Sequence, residues 1–169
     1  MTTDELKNLQ APLKEQYKQD PAQALITLKA SGTLGSDVSC KVDTGKKIVE
    51  AGLHPATGGS GMLACSGDML LESLVACAGV TLSAVATAIG ITIHEGAVHA
   101  EGDLDFRGTL GVSKEANVGF VAIRLGFDLK TDEPQEKIDT LLKLTERYCV
   151  VLQTLRGGVP IDASVNYSS

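Results

Sequence analysis

The chain has 169 residues, of which 43% are apolar and only 4% aromatic, with no tryptophan. This length suits one domain with a sizeable core, which must be packed from leucine, valine, isoleucine and alanine. The formal net charge of −6 argues against nucleic acid or an anionic membrane as a partner, because both need clustered lysine and arginine. The first residues lack the basic region and apolar run of a signal peptide, so we expect a cytoplasmic protein with reduced thiols.

The amino-terminal part of the chain predicts one helix followed by three strands. Residues 4–19 have helical apolar spacing, and Pro12 predicts either a kink or a division into two short helices. Alternating apolar residues predict strands at 24–30 and 38–42. Turn residues after the second strand predict a hairpin into a third strand at 48–51.

The middle of the chain predicts a long buried helix. Residues 54–67 have the composition of an irregular, glycine-rich loop leading into this helix, which Gly90 ends. The stretch from Ser73 to Ile93 carries no charge and approaches the ~20 residues that cross a bilayer. Because it also contains serine, threonine, glycine and much alanine, we interpret it as the central helix of a soluble fold.

The last part of the chain predicts two strands, a helix and a final strand. Apolar residues alternate with charged ones at 94–107 and 118–130. A second long helix is predicted after residue 131 or 132, with Pro134 in its first turn and Gly157 near its end. Val159–Val165 predicts the final strand. Strands in runs with hairpin signals indicate an antiparallel α+β protein.

Cys77 and Cys149 each fall within one of the two long predicted helices. Packed helices lie ~8–10 Å apart, which leaves about 3.4–5.4 Å between facing Cα atoms. A disulfide takes roughly 4.4–6.8 Å, so the pair can bridge if the two cysteines face each other. Spacing alone favours the other interpretation, that the buried cysteines only fill space.

Reactivity sets a further condition on Cys77. A free thiol is only about 3% thiolate at pH 7, and burial among leucine, valine and alanine lowers that fraction. We therefore expect a cation near Cys77 if this residue is a nucleophile.

Two motifs in this order on the two helices carry a resemblance to a known family. The run from Ser66 to Cys77, Ser-Gly-Asp-Met-Leu-Leu-Glu-Ser-Leu-Val-Ala-Cys, and the tetrapeptide Glu-Arg-Tyr-Cys ending at Cys149 resemble the OsmC/Ohr family. That family comprises osmotically inducible protein C and the organic hydroperoxide resistance proteins. The resemblance covers roughly residues 22–166.

The resemblance implies an OsmC-like α+β fold with antiparallel sheets packed around two long core helices. It also implies an intertwined homodimer with active sites at the subunit interface. On this basis we expect an OsmC-like domain at 22–169, preceded by an amino-terminal helical extension at 1–21.

The resemblance further implies thiol-dependent reduction of organic hydroperoxides. Cys77 would attack the peroxide and become sulfenic acid, and Cys149 would condense with it to a disulfide. An external dithiol, such as a lipoyl or thioredoxin-type partner, would then reset the pair. No cofactor, metal, nucleic acid or membrane is expected. The alternative is a non-catalytic OsmC-like stress protein that binds a small hydrophobic or sulfur-containing ligand at the dimer interface.

The chain departs from the family's pattern at three places. No arginine precedes Arg107, although the peroxidases carry one in the first strands. The family's glutamate ten residues before the cysteine is Gly67 here, with Asp68 one step later. Val150 stands where proline usually follows the second cysteine.

We therefore hypothesise that His54, Asp68 or Arg156 replaces the missing groups at Cys77. The other two cysteines have simpler interpretations. Cys40 alternates with apolar neighbours on a strand and is expected in the core, and Cys65 is expected to be structural or a spectator.

Overall fold

The computed structural model describes residues 2–20, 31–34, 39–43, 48–111 and 113–167. In these residues the elements follow the chain as α1 (Thr3–Gln19), β1 (Ser31–Leu34), β2 (Ser39–Asp43), β3 (Ile48–Gly52), β4 (Ala64–Cys65), α2 (Ser66–Ile89), β5 (Glu95–Leu104), α3 (Phe106–Thr109), β6 (Phe120–Lys130), α4 (Gln135–Tyr148) and α5 (Val150–Gly157).

The amino-terminal helix α1 begins with a capping box. The Thr2 hydroxyl accepts the Glu5 N–H, and the Glu5 carboxylate accepts the Thr2 N–H. Pro12 lies inside one helix, so the alternative of two short helices is wrong. The Thr3 hydroxyl donates to the carbonyl of Thr87 at 2.8 Å, which fastens α1 to the last turns of α2.

The first sheet has the order β1-β2-β3-β4. The predicted hairpin is confirmed by the antiparallel register of β2 and β3, in which Cys40 lies opposite Ala51. The sequence did not predict β1, and the strand predicted at 24–30 lies outside the described residues. β4 pairs parallel with β3 through Gly52 and Cys65, so the sheet fixes the point at which α2 begins.

The second sheet is an antiparallel ladder of β5 and β6, as the alternation predicts. Two glycines in the ladder lie under aromatic rings. A Cβ at Gly126 would lie 2.1 Å from the ring of its opposite residue His99, and one at Gly102 would lie 2.4 Å from the ring of Phe120. The predicted extension of β5 to residue 107 is wrong, because the Asp105 side chain caps α3 instead.

The core lies along one face of α2, whose buried residues recur every four positions. One group, the thiol cluster, consists of Leu74, Ala78, Cys149 and Leu152. A second group, the aliphatic cluster, consists of Leu82, Ala86, Ile91 and Leu141. Phe127 of β6 packs against both clusters, so helices and ladder share one continuous core. The predicted arrangement, in which sheets pack around long core helices, is confirmed.

Among the described residues, α2 is the one helix long and apolar enough to cross a membrane. The core helix of a soluble protein passes the same test. Since α2 carries the shared face of both clusters, we interpret it as a core helix.

The carboxyl-terminal part departs most from the sequence prediction. The single helix predicted up to Gly157 is wrong, because Cys149 adopts φ −72° and ψ 107° and separates α4 from α5. The strand predicted at Val159–Val165 is also wrong within the described chain, where residues 158–167 have no regular structure. A strand needs a neighbouring edge, and this segment leaves Ile161 86% exposed.

Candidate functional site at the Cys77 and Cys149 thiols

α2 places Cys77 at the border of the buried face. Leu74 and Ala78 are fully buried, and Cys77 immediately precedes Ala78. The Cys77 side chain is therefore half-buried, packed against the thiol cluster while part of its surface stays exposed. On the neighbouring side α2 packs against β5, where a Cβ at Gly79 would lie 3.6 Å from Val98, an ordinary contact distance.

Cys149 stands at the junction of α4 and α5 and belongs to both. Its N–H donates to the Thr145 carbonyl at 2.9 Å and completes α4. Its carbonyl accepts the N–H of Gln153 at 2.9 Å and begins α5. The side chain is 0% exposed, so only Cys77 of this pair offers surface to a molecule arriving from solvent.

The Cys77 side chain packs against the buried cluster that contains Cys149. Hydrogen bonding from the Val151 amide, the Cys149 thiol, the Val150 amide and the Thr81 hydroxyl acts to lower the pKa of the Cys77 thiol. Burial raises the pKa of the Cys77 thiol, but these hydrogen bonds together outweigh it and hold the pKa below its ordinary value. Hydrogen-bond donors, rather than the expected cation, therefore favour the Cys77 thiolate.

The environment of Cys149 raises the pKa of its thiol. Burial raises the pKa of the Cys149 thiol, and the neighbouring Cys77 sulfur raises it further, against the lowering effect of the Leu152 amide. The surroundings therefore lower the pKa of the Cys77 thiol and raise that of the Cys149 thiol. The site pairs a half-exposed thiol that forms the thiolate more readily with a buried thiol that forms it less readily.

Two of the three predicted supporting residues, His54 and Asp68, lie before or at the start of α2. His54 accepts the Ala56 N–H at 3.0 Å through Nδ1 and stacks on Phe106, with ring centroids 4.9 Å apart. Asp68 is exposed in the first turn of α2. It precedes Cys77 by nine residues, which corresponds to about 13–14 Å along the helix axis.

The third, Arg156, donates to the Glu146 carboxylate at 2.8 Å. The chain's other arginines are likewise engaged elsewhere, with Arg107 on Asp105, Arg124 on Glu101 and Asp103, and Arg147 over the Tyr148 ring. In the described chain, neither these side chains nor His54 or Asp68 are among the hydrogen-bond donors to the Cys77 thiol.

The remaining cysteines lie apart from this pair. Cys65 is a half-buried free thiol at the N-cap of α2, twelve residues or about 18 Å of helix from Cys77. The backbone of Cys40 lies in β2, and its predicted core position stays a prediction. Within the described residues, no three His, Cys, Asp or Glu side chains come together as metal ligands do.

Sequence reasoning missed three groups that contact Cys77. Thr81 lies one helical turn after Cys77, so the four-residue spacing is a signal that could have identified it. The amides of Val150 and Val151 carry no such signal, because they become available only through the interruption of the helix at Cys149.

A cavity of about 330 Å³ adjoins the thiol cluster. Its walls are mostly apolar residues of β6 and α5, including Phe120 and Leu155, with Glu146 and Arg156 as polar members. Leu74 and Leu152 belong both to this wall and to the thiol cluster. The cavity therefore borders the thiol cluster, although neither Cys77 nor Cys149 is among the residues that line it.

Comparison with known families agrees with this architecture. The family model described as OsmC-like protein matches residues 59–164, which is more than half of the chain. The chain belongs to the OsmC-like protein family. A search among curated proteins found no match.

Solved structures share the OsmC-like fold. An OsmC-like protein from Mycoplasma pneumoniae superposes with a TM-score of 0.67 at 18% identity, covering 79% of this chain and 89% of that one. Organic hydroperoxide resistance proteins from Legionella pneumophila and Elizabethkingia anophelis both give a TM-score of 0.62, at 19% and 21% identity. Each of these two comparisons covers 79% of this chain and 91% of the other.

Proposed function

We propose that this OsmC-like protein reduces organic hydroperoxides with the Cys77 and Cys149 thiols, as a defence against oxidative stress. The observation that carries the proposal is the contact between a half-exposed thiol of lowered pKa and a buried thiol of raised pKa. A peroxidase needs this division between a nucleophilic and a resolving cysteine. The fold shared with organic hydroperoxide resistance proteins supports the same reaction class.

The first proposed step is attack by the Cys77 thiolate on the outer peroxide oxygen. An S–O bond forms and the O–O bond breaks, which oxidises the sulfur to sulfenic acid and releases the alkoxide, which takes a proton to become the alcohol. Cys149 then attacks the Cys77 sulfur, so that an S–S bond forms and the hydroxyl leaves as water. An external dithiol of the lipoyl or thioredoxin class reduces the disulfide by exchange and becomes oxidised itself.

The mostly apolar cavity beside the thiol cluster suits a substrate with an apolar organic group. No cofactor is required, because the two sulfurs and the external dithiol carry all the electrons. We place this cycle in the cytoplasm, where the thiol pools keep such a dithiol reduced.

We also propose that the working form is the homodimer typical of this family. Only 28% of the most apolar stretch of α2 is buried within a single chain, and Val80 on this helix is 72% exposed. An apolar face of this kind favours cover by a second copy. Light scattering of the purified protein should give about twice the chain mass of 17.6 kDa, and a monomer at micromolar concentration would refute this part of the proposal.

The deciding experiment is peptide-level mass spectrometry of the thiols after stoichiometric tert-butyl hydroperoxide. The reduced protein should form a Cys77–Cys149 disulfide rapidly, and Cys149→Ser should accumulate a trappable sulfenic acid on Cys77. Cys77→Ser should leave the peroxide unconsumed. Cys65→Ser is the matched control, a free thiol outside the pair, and should react like the unaltered protein.

Oxidation that is slow, and scattered over all cysteines at the rate of a free thiol, would rule out the peroxidase. The cavity would then favour the second candidate, a non-catalytic stress protein that binds a small hydrophobic or sulfur-containing ligand.

A further inference from the structure

The first amides of α5, like those of any helix, have no acceptor inside the helix. The first bond within α5 runs from Gln153 N–H to the Cys149 carbonyl, which leaves the N–H groups of Val150, Val151 and Leu152 free of intrahelical partners. Ser, Thr, Asp or Asn commonly caps such a terminus. Here Cys149 holds the N-cap position, and no side chain of a conventional cap bonds these amides.

These amides lie at the end of α5 that packs near Cys77. Cys77 and Val151 both pack against the buried cluster that contains Cys149 and Leu152. Hydrogen bonding from the Val151 and Val150 amides acts to lower the pKa of the Cys77 thiol. The aligned peptide dipoles add about half a positive charge at the same end of the helix.

The contacts of the side chains exclude the expected alternative within the described chain. All four arginines are engaged with carboxylates or a tyrosine ring, and none donates to Cys77. The groups that lower the pKa of this thiol are therefore the Val151 and Val150 amides, the Cys149 thiol and the Thr81 hydroxyl, with the Val151 amide the largest of them.

Building on the proposed function, we propose that the amides of Val150 and Val151, at the amino end of α5, stabilise and position the Cys77 thiolate in place of a side-chain cation. Main-chain donors are held by the helix itself, so they lose no side-chain freedom when the thiolate forms. The valine at position 150 is essential to this arrangement, because proline there would have no N–H.

Substitution at position 150 tests the inference without altering any side chain that contacts the sulfur through a polar group. Val150→Pro and Val150→Ala both remove a side chain that is 71% exposed, but only the proline variant loses the N–H. Proline suits the first position of a helix. The extended backbone of Cys149 is also the conformation that a residue before proline adopts.

The measurement is the rate of iodoacetamide labelling at Cys77 against pH, resolved by peptide mass spectrometry, with Cys65 labelling in each sample as the internal reference. Relative to Val150→Ala, the proline variant should label Cys77 about tenfold more slowly near neutral pH, with its half-point moved to higher pH, since a hydrogen bond to a charged group changes an equilibrium by about that factor. Equal profiles for the two variants would overturn the inference.

Two further arms keep the outcome interpretable. If Val150→Pro does not fold, replacing Val150 by its α-hydroxy acid analogue exchanges the N–H for an ester oxygen and gives the same comparison. Labelling is independent of turnover. If the profile shifts but peroxide yields no Cys77–Cys149 disulfide, the activation by α5 stands while the peroxidase function fails.

Discussion

The thiol cluster and the aliphatic cluster are built on the same face of α2, yet only the first contains a cysteine. Both place a leucine and an alanine four residues apart on this helix. They differ in the partner helix. In the aliphatic cluster the residue that packs against α2 is Leu141, which lies within the uninterrupted α4. In the thiol cluster it is Cys149, where α4 stops and α5 begins.

This difference bears on the reactivity proposed for Cys77. A continuous helix uses its amides internally and presents only side chains to its neighbour, as α4 does at Leu141. The interruption at Cys149 leaves the first amides of α5 without intrahelical partners near Cys77. The proposed stabilisation of the thiolate therefore depends on a local break in the partner helix more than on the composition of α2.

The largest expected effect is a loss of stability from a substitution in the aliphatic cluster. Leu141→Ala removes a fully buried side chain, and should lower the free energy of unfolding by about 2–5 kcal/mol in urea denaturation. Leu142→Ala, at a half-buried neighbour, should cost less. The pH profile of Cys77 labelling should not change in either variant, and a shift in the Leu141 variant would show that the two clusters are not independent.

An intermediate effect is expected at the residue between the two clusters on α4. The Thr145 hydroxyl is buried without a hydrogen-bond partner in the described structure. Thr145→Val keeps the shape and removes this group, so the free energy of unfolding should rise by about 1 kcal/mol. Thr140→Val is the control, because the Thr140 hydroxyl is already bonded to the Glu136 carbonyl. A loss of stability in Thr145→Val would mean that the hydroxyl is satisfied.

The smallest expected effect is a change in the rate of Cys77 labelling when one donor in its surroundings is removed. Thr81→Val removes one donor to Cys77, so its pKa should rise and labelling near neutral pH should slow by about threefold, less than in Val150→Pro. Thr87→Val is the control, since that hydroxyl donates to the Ser83 carbonyl. An unchanged profile in Thr81→Val would remove this hydroxyl from the site.

The sign of the pH dependence follows from the lowered pKa of Cys77. Thiolate is the reactive form, so labelling and peroxide reduction should increase as the pH rises through that pKa. The same lowering stabilises the folded state at pH values above the ordinary thiol pKa. That contribution is lost as the pH falls through the folded-state value.

Periodicity was sufficient to predict the elements that bury a continuous apolar face. It identified α2, its end at Gly90, and the β5–β6 ladder, because each pattern extends over many residues. It also located both cysteines on core elements. Pro12 does not divide the amino-terminal helix, since the surrounding residues sustain one helix around it.

The break at Cys149 could not be predicted in the same way. Residues around it contain neither glycine nor proline and keep helical spacing, so the extended backbone there reflects packing against α2 rather than local preference. The amides of Val150 and Val151 near Cys77 could not be predicted either, because they become available only through this break. At 158–167 the alternation is real, but a strand also needs a neighbouring edge, which local sequence does not specify.

The two glycines of the β5–β6 ladder have a consequence for the divergence of this protein. The ring of His99 occupies the volume that any side chain at 126 would need, and the ring of Phe120 does the same at 102. Homologues with a larger residue at either glycine should therefore carry a smaller one at its ring partner. In an alignment of relatives these positions should change in pairs, and each pair should keep a nearly constant summed side-chain volume.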